Sequence, residues 1–404
     1  MSDPSSPPSG APGWLTLVMA AACGLIVANL YYAQPLIGPI AAALALPAAS
    51  AGLIVTSTQC GYGLGLLFVV PLADRLENRR LIVGALLLVA VALVALARAR
   101  DAATLLAACA LVGFFAVAAQ VIVPFASHLA PLEQRGRAVG NVMSGLLLGI
   151  MLARPTSSLL ADHWGWQSVF GVSAIATLAL ALLLWRVLPE RRPAAQASYA
   201  ALLRSMLRLV AETPLLRLRG YYQACAFAAF SLFWTTVPLH LAAAPWSLSQ
   251  SQIALFALAG VAGAIAAPIT GRLADRGWSA VATPVALLLI VAGFVLSLVV
   301  APGRPGSLGL LVAAAIVLDM GVSASLLLSQ RAIYALGASV RGRLNGLFMA
   351  MFFAGGALGS SVGAWSYATG GWTVSALIGG ALPLLALAWL VLRGARAEAA
   401  LQPT

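Results

Sequence analysis

Charge is scarce in this chain. Only 8% of its 404 residues are Asp, Glu, Lys or Arg, and lysine is absent altogether. A soluble domain carries roughly a quarter charged residues, so these few could not cover a water-facing surface of this length. Hydrophobic residues make up 62%, with a mean hydropathy of +0.98. Cysteine is equally sparse. Cys23, Cys60, Cys109 and Cys225 all lie inside apolar runs without paired loop spacing, so neither a disulfide framework nor a metal site is indicated. The three histidines, His128, His163 and His240, are not spaced as metal or catalytic pairs. No glycine-rich loop ends in Lys, which argues against ATP as a drive. The net charge of +12 does not imply nucleic acid, because the arginines sit in short connections between apolar runs and form no basic face.

What is present is a series of apolar runs, each long enough to cross a bilayer. Twelve helical spans are predicted: 14–43, 48–72, 81–97, 102–129, 138–160, 167–187, 220–243, 250–270, 280–300, 307–334, 344–367 and 372–392. Placing both termini in the cytoplasm puts 19 of the 23 arginines inside and only Arg98, Arg100 and Arg304 outside, with Arg154 left within a span. Such a bias sets orientation and favours an even number of spans. Residues 1–13, rich in Ser, Pro and Gly, read as a disordered tail before a retained span, not as a signal peptide. One long connection, 188–214, carries Arg191, Arg192, Arg204 and Arg208 beside Leu202, Leu203, Met206 and Leu207. It is expected to contain an amphipathic helix lying on the inner surface. It separates a first bundle, 14–187, from a second, 215–393, with 394–404 as a cytoplasmic tail.

The two bundles repeat. Leu72-Ala73-Asp74-Arg75 returns as Leu273-Ala274-Asp275-Arg276, and Arg135-Gly136-Arg137 as Arg341-Gly342-Arg343. Gly140, Met143, Gly149 and Gly165-Trp166 return as Gly346, Met349, Gly355 and Gly371-Trp372. Six spans separate the copies, so the repeat keeps its orientation, one of the known internal symmetries of transporters.

These residues resemble the major facilitator superfamily. Leu72-Ala73-Asp74-Arg75 and Arg79-Arg80 match the loop motif Gly-x-Leu-Ala-Asp-Arg-x-Gly-Arg-Arg that follows its second span; Val70 replaces the first Gly, and Glu77-Asn78 the later Gly-Arg. Asn29-Leu30-Tyr31-Tyr32-Ala33-Gln34-Pro35-Leu36 is similar to a branch of bacterial drug and sugar efflux permeases. The resemblance implies an all-α integral membrane fold of twelve helices, two pseudo-symmetric six-helix bundles in the bacterial inner membrane. It also implies a cytoplasmic gate. Asp74 would face Arg341 and Arg343 at the start of the eleventh helix, and Asp275 would mirror it against Arg135 and Arg137. Arg75, Arg79, Arg80 and Arg276 would assist. A carboxylate is stabilised both by a helix N-terminus and by nearby Arg. The alternative is a solvated loop that merely obeys the positive-inside rule. The family's fifth-span antiport signature survives only in Gly136, Gly145 and Gly149, with Ile150 in place of Pro and Ala153-Arg154 in place of the last glycines.

Arg154 and Asp319 are the charges deepest in apolar runs. An ionised group at mid-bilayer costs about 2.5–3.5 kcal/mol on insertion scales, so each is a functional candidate. Asp319 is placed near the midplane and read as the proton-coupling carboxylate; the alternative is a carboxylate held by neighbouring polar groups. Arg154, in the outer third, is read as a substrate anchor or charge partner, or as a side chain that snorkels outward. By the family resemblance, spans one, four, seven and ten line the cavity. Its candidate walls are Asn29, Tyr32, Gln120, Gln223, Phe227, Phe230, Trp234 and Ser323, joined by Gln59, Asn345, Met349 and Phe352. Aromatic and Met walls suit apolar or amphipathic ligands, although packing between helices would use the same residues.

The leading reading is a monomeric secondary transporter, without cofactor, that exports drug-like, amphipathic or sugar-like molecules by proton antiport and alternating access. Its partners are a small-molecule substrate, protons and the lipid bilayer. A proton-coupled or facilitated importer of a small metabolite is the alternative. A receptor or membrane enzyme is disfavoured, because no catalytic cluster and no soluble domain is present.

Overall fold

A computed structural model of the chain describes residues 13–131, 134–193, 198–262, 270, 279–301, 304, 306–337 and 340–400. Among them the regular structure is helical, and nine helices are long and apolar enough to cross a membrane. The last of these, Arg341–Leu392, is long enough for two crossings. Its 52 residues would form a rod ~78 Å long if straight. It is not straight: Gly371 has φ +63°, and Ser366 Oγ lies 3.0 Å from Ser375 Oγ, so the chain doubles back between them. The first bundle turns in the same way at Gly165, φ +77°, between Arg135–Trp164 and Trp166–Val187. The repeated Gly-Trp pair is thus a repeated reversal at a position where a side chain would be strained.

Two spans depart from the expected continuous helices. The first runs helically from Gly13 to Ala28, breaks, and resumes at Gln34–Leu36 and Ile37–Ala43. Short-range bonds such as Gln34 N–H to Tyr31 O (3.2 Å) carry the chain across the break, and Pro35 brings no N–H to it. The eighth span begins as Gln250–Ala257, capped by Ser249, and tightens into a 3-10 turn at Leu258–Ala262. Irregular backbone at membrane depth is tolerated only where protein covers it, and residues 29–37 are all buried.

The connection between bundles contains the expected amphipathic helix, Tyr199–Glu212, capped by Ser198 accepting from Ala201 N–H. Leu207 on it is exposed and Met206 is buried.

Each bundle packs its first helix against its fifth through small residues. A Cβ on Gly24 would stand 2.6 Å from Gly145 O, and one on Gly355 2.6 Å from Ala224 Cα. Backbones this close gain dispersion that larger side chains would forbid. The repeated Gly149 and Gly355 therefore mark the same contact twice. The bundles meet through polar pairs: Thr56 Oγ1 with Ser360 Oγ at 2.8 Å, and Gln59 Nε2 with Ser231 Oγ at 3.0 Å. Nearer the end of the molecule that is poor in arginine, Ser251 hydrogen-bonds Asp162.

Candidate functional site

The break in the first span turns Gln34 into the interior, where it is fully buried. Its Oε1 accepts the Nε–H of Arg154 at 2.8 Å. Arg154 projects from the fifth span and is only 3% exposed. Its guanidinium carbon lies 4.4 Å from the Trp234 ring centroid, 5.1 Å from Phe230 and 5.2 Å from Tyr31. Ring faces are negative, and a desolvated cation over one gains about 2 kcal/mol. Three rings therefore offset part of the cost of burying this charge.

Trp234 also binds the opposite charge. Its Nε1–H donates to Asp319 Oδ1 at 2.9 Å, and Asp319 is 4% exposed. The other carboxylate oxygen and Arg154 converge on Gly260, in the 3-10 turn of the eighth span. A Cβ there would stand 3.1 Å from Asp319 Oδ2, 3.4 Å from Arg154 Nη1 and 3.4 Å from Trp234. Any larger residue at 260 would press between the charges. The pair straddles the two bundles, Arg154 and Gln34 on one side, Trp234, Gly260 and Asp319 on the other. It forms no ion pair within 4.0 Å among the described residues, so the charges attract without locking. Two buried donors at this site also lack acceptors among the described residues, Arg154 Nη2 and Gln34 Nε2. Such groups are costly in a dry interior.

The other expected cavity residues make the following contacts. Asn29 Oδ1 accepts from Ser173 at 2.6 Å, and buried Tyr32 lies beside the same Ser173. Gln59 joins the bundles through Ser231. Gln223 Oε1 accepts from Ser325 at 2.8 Å. Phe227 stacks on Phe352 at 3.6 Å and on Phe230 at 5.2 Å. Gln120 Nε2 donates to Tyr62 OH at 3.1 Å. Half-buried Ser323 stands one turn from Asp319. Asn345 Oδ1 accepts from Tyr334 OH at 2.8 Å, and Met349 Sδ lies 3.9 Å from Gln330 Nε2. These last two form a separate polar group toward the arginine-rich end.

Among the described residues the expected gate contacts are not made. Asp74 and Arg75 are exposed, and Asp74 makes no ion pair within 4.0 Å among the described residues. Arg341 donates instead to Tyr334 O, and Arg343 to Ser205 Oγ on the connecting helix. Arg135 reaches Ala130 O, and Arg137 is exposed. Asp275 and Arg276 lie outside the described residues. The rest of the motif braces its own bundle: Arg79 pairs with Glu190 and lies over Trp185. Glu77 caps the third span through Arg79 N–H and Arg80 N–H, with Arg80 side chain 3.8 Å away.

Gln34, Tyr31 and Gly260 were not among the expected site residues. Neither was Arg219, counted with the surface arginines but fully buried, with Nη1 donating to Thr283 Oγ1 at 2.9 Å. Its signal was position: it stands five residues after Pro214, which opens the helix.

Residues 17–302 and 222–403 match the model of the Major Facilitator Superfamily. An uncharacterized transporter of Escherichia coli O157:H7, YgaY, is 41% identical over 373 residues, 92% of this chain and 94% of that protein. A chloramphenicol resistance protein of Streptomyces lividans is 28% identical over 306 residues, 69% of this chain and 75% of that protein. Among solved structures, a bacterial homolog of the human lysosomal transporter Spinster superposes with a TM-score of 0.77 at 14% identity, covering 97% of this chain and 98% of that one.

Proposed function

Because this chain belongs to the major facilitator superfamily, a membrane transporter family, we propose that it is a proton-coupled secondary transporter of small molecules working by alternating access. The observation that carries the coupling is the buried meeting of Asp319 and Arg154 across the two bundles, with Trp234 bonded to one and stacked on the other. A proton on Asp319 removes its attraction for Arg154. That weakens a buried contact between the two bundles, the kind of change alternating access requires. The arginine-rich end is taken as cytoplasmic, by the positive-inside rule. There, exposed Asp74 is free to meet the eleventh helix when the bundles close at that end. Asp74, Arg341 and Arg343 then act as the gate, and release of Arg343 from Ser205 precedes it.

Export of amphipathic molecules is the reading favoured by the chloramphenicol resistance relative. For a neutral or cationic molecule of that kind, proton and substrate would alternate at this site. Purified protein in proteoliposomes, given a panel of dyes, antibiotics and sugars with and without a pH gradient, tests the proposal. Gradient-dependent accumulation is expected; movement indifferent to collapse of the gradient refutes proton coupling.

A further inference from the structure

The donors left over at this site select a ligand. Arg154 is fully enclosed and spends Nε on Gln34. Its Nη2 has no acceptor among the described residues. Gln34 presents its oxygen to Arg154, since a guanidinium can only donate. That fixes the amide: its Nε2 is the second donor, also buried and without an acceptor among the described residues. Two buried donors on one bonded pair of side chains call for a group that only accepts, and a carboxylate is such a group. A cationic amine would add a donor beside a guanidinium. The rings of Tyr31, Phe230 and Trp234 surround the guanidinium and would meet an aromatic or apolar body.

We propose that Arg154 and Gln34 form the anchor for the carboxylate of a small aromatic or apolar acid, and that such a substrate binds together with a proton on Asp319. This rests on the proton-coupled reading above. Coulomb repulsion calls for the proton. Asp319 Oδ2 and Arg154 Nη1 face the same glycine. A ligand carboxylate on Arg154 would stand close to ionised Asp319 in a low-dielectric site, where two like charges repel by several kcal/mol. The titratable groups facing this point are Arg154 from the fifth span and Tyr31 from the first; Trp234 from the seventh and Gly260 from the eighth add no charge. Only a proton on Asp319 lifts the clash. For such an acid, proton and substrate share one state and travel the same way. For a neutral or cationic substrate they would exclude each other.

The test uses three probes of one shape and different charge: benzoate, benzyl alcohol and benzylamine. Their binding to the purified full-length protein is measured by calorimetry at pH 8 in two buffers of different ionisation enthalpy, which counts the protons exchanged. Benzoate should bind at least tenfold more tightly than the other two, with uptake of about one proton. Arg154→Gln should erase the preference. Asp319→Asn should keep benzoate binding and lose the proton uptake, which a merely structural Arg154 would not produce. Benzylamine or benzyl alcohol bound as tightly as benzoate, or proton release with benzoate, would overturn the proposal, and neither needs a variant to fold. The wider reading fails separately: uphill, gradient-driven transport retained by Asp319→Asn would remove Asp319 from coupling while leaving the anion site intact.

Discussion

A double-mutant cycle between Arg154 and Asp319 examines the site directly. The two charges approach the same side of Gly260 without an ion pair within 4.0 Å among the described residues. Taken at about 5 Å, with an effective dielectric of about 20, their attraction is ~3 kcal/mol. Removing one partner of a buried pair costs about 3–5 kcal/mol, because the other charge stays buried alone. Arg154→Gln and Asp319→Asn should each destabilise by that order. The double variant should fall short of the sum by about 3 kcal/mol. The neighbours make the cycle readable: Asn can still accept from Trp234 Nε1, now 2.9 Å from Asp319 Oδ1, and Gln can still bond Gln34. Reversible unfolding in mixed micelles, followed by tryptophan fluorescence, supplies the four free energies. Costs that add within about 0.5 kcal/mol, as for distant independent sites, would refute the claim that the two charges share a site.

Three further outcomes follow from the geometry. Glu77→Ala should cost about 1–2 kcal/mol by thermal unfolding, since its carboxylate caps the third span at Arg79 and Arg80 and also accepts from Arg191 N–H; Glu77→Gln should recover part of it. Gly24→Val should cost at least about 1–3 kcal/mol, because its Cβ would stand 2.6 Å from Gly145 O, whereas Gly84→Ala, with nothing within 4 Å, should be neutral in the same unfolding assay. Asp101 caps the fourth span through Thr104 N–H at 2.8 Å and Thr104 Oγ1 at 2.7 Å, which hold its carboxyl below the usual 3.8. Its folded value is depressed, so its stabilisation is present above 3.8 and is lost as pH falls through the folded value. The Tm gap between wild type and Asp101→Ala should therefore persist at pH 7 and close under strong acid.

The fold was legible because it rests on patterns with a physical period. Apolar runs pointed to the spans, and the Gly-Trp and Gly149/Gly355 repeats marked reversals and close contacts that the structure shows. Depth in the spans singled out Arg154 and Asp319. Their meeting was not legible, since it depends on how a fifth and a tenth helix from different bundles face each other. Gln34 was hidden by the opposite difficulty. Its motif was read as a continuous helix, in which Gln34 has no special role, and only the break at 29–36 turns it onto Arg154. Gly260 carries no side chain to notice, yet its lack of one is what lets the charges approach. The charged loop at 74–80 was read as a gate; it divides into exposed Asp74 and a brace at Glu77 and Arg79, a distinction set by what the neighbouring connection offers at Leu188 and Glu190.

Parallel recording of proton flux and substrate flux by wild-type and Asp319→Asn protein in the same proteoliposomes tests the central claim. The wild type should move protons and substrate in a fixed ratio, and an imposed pH gradient should drive substrate uphill. Asp319→Asn should bind substrate, move it only downhill and carry no protons with it. Uphill transport by Asp319→Asn at the wild-type ratio would contradict the account.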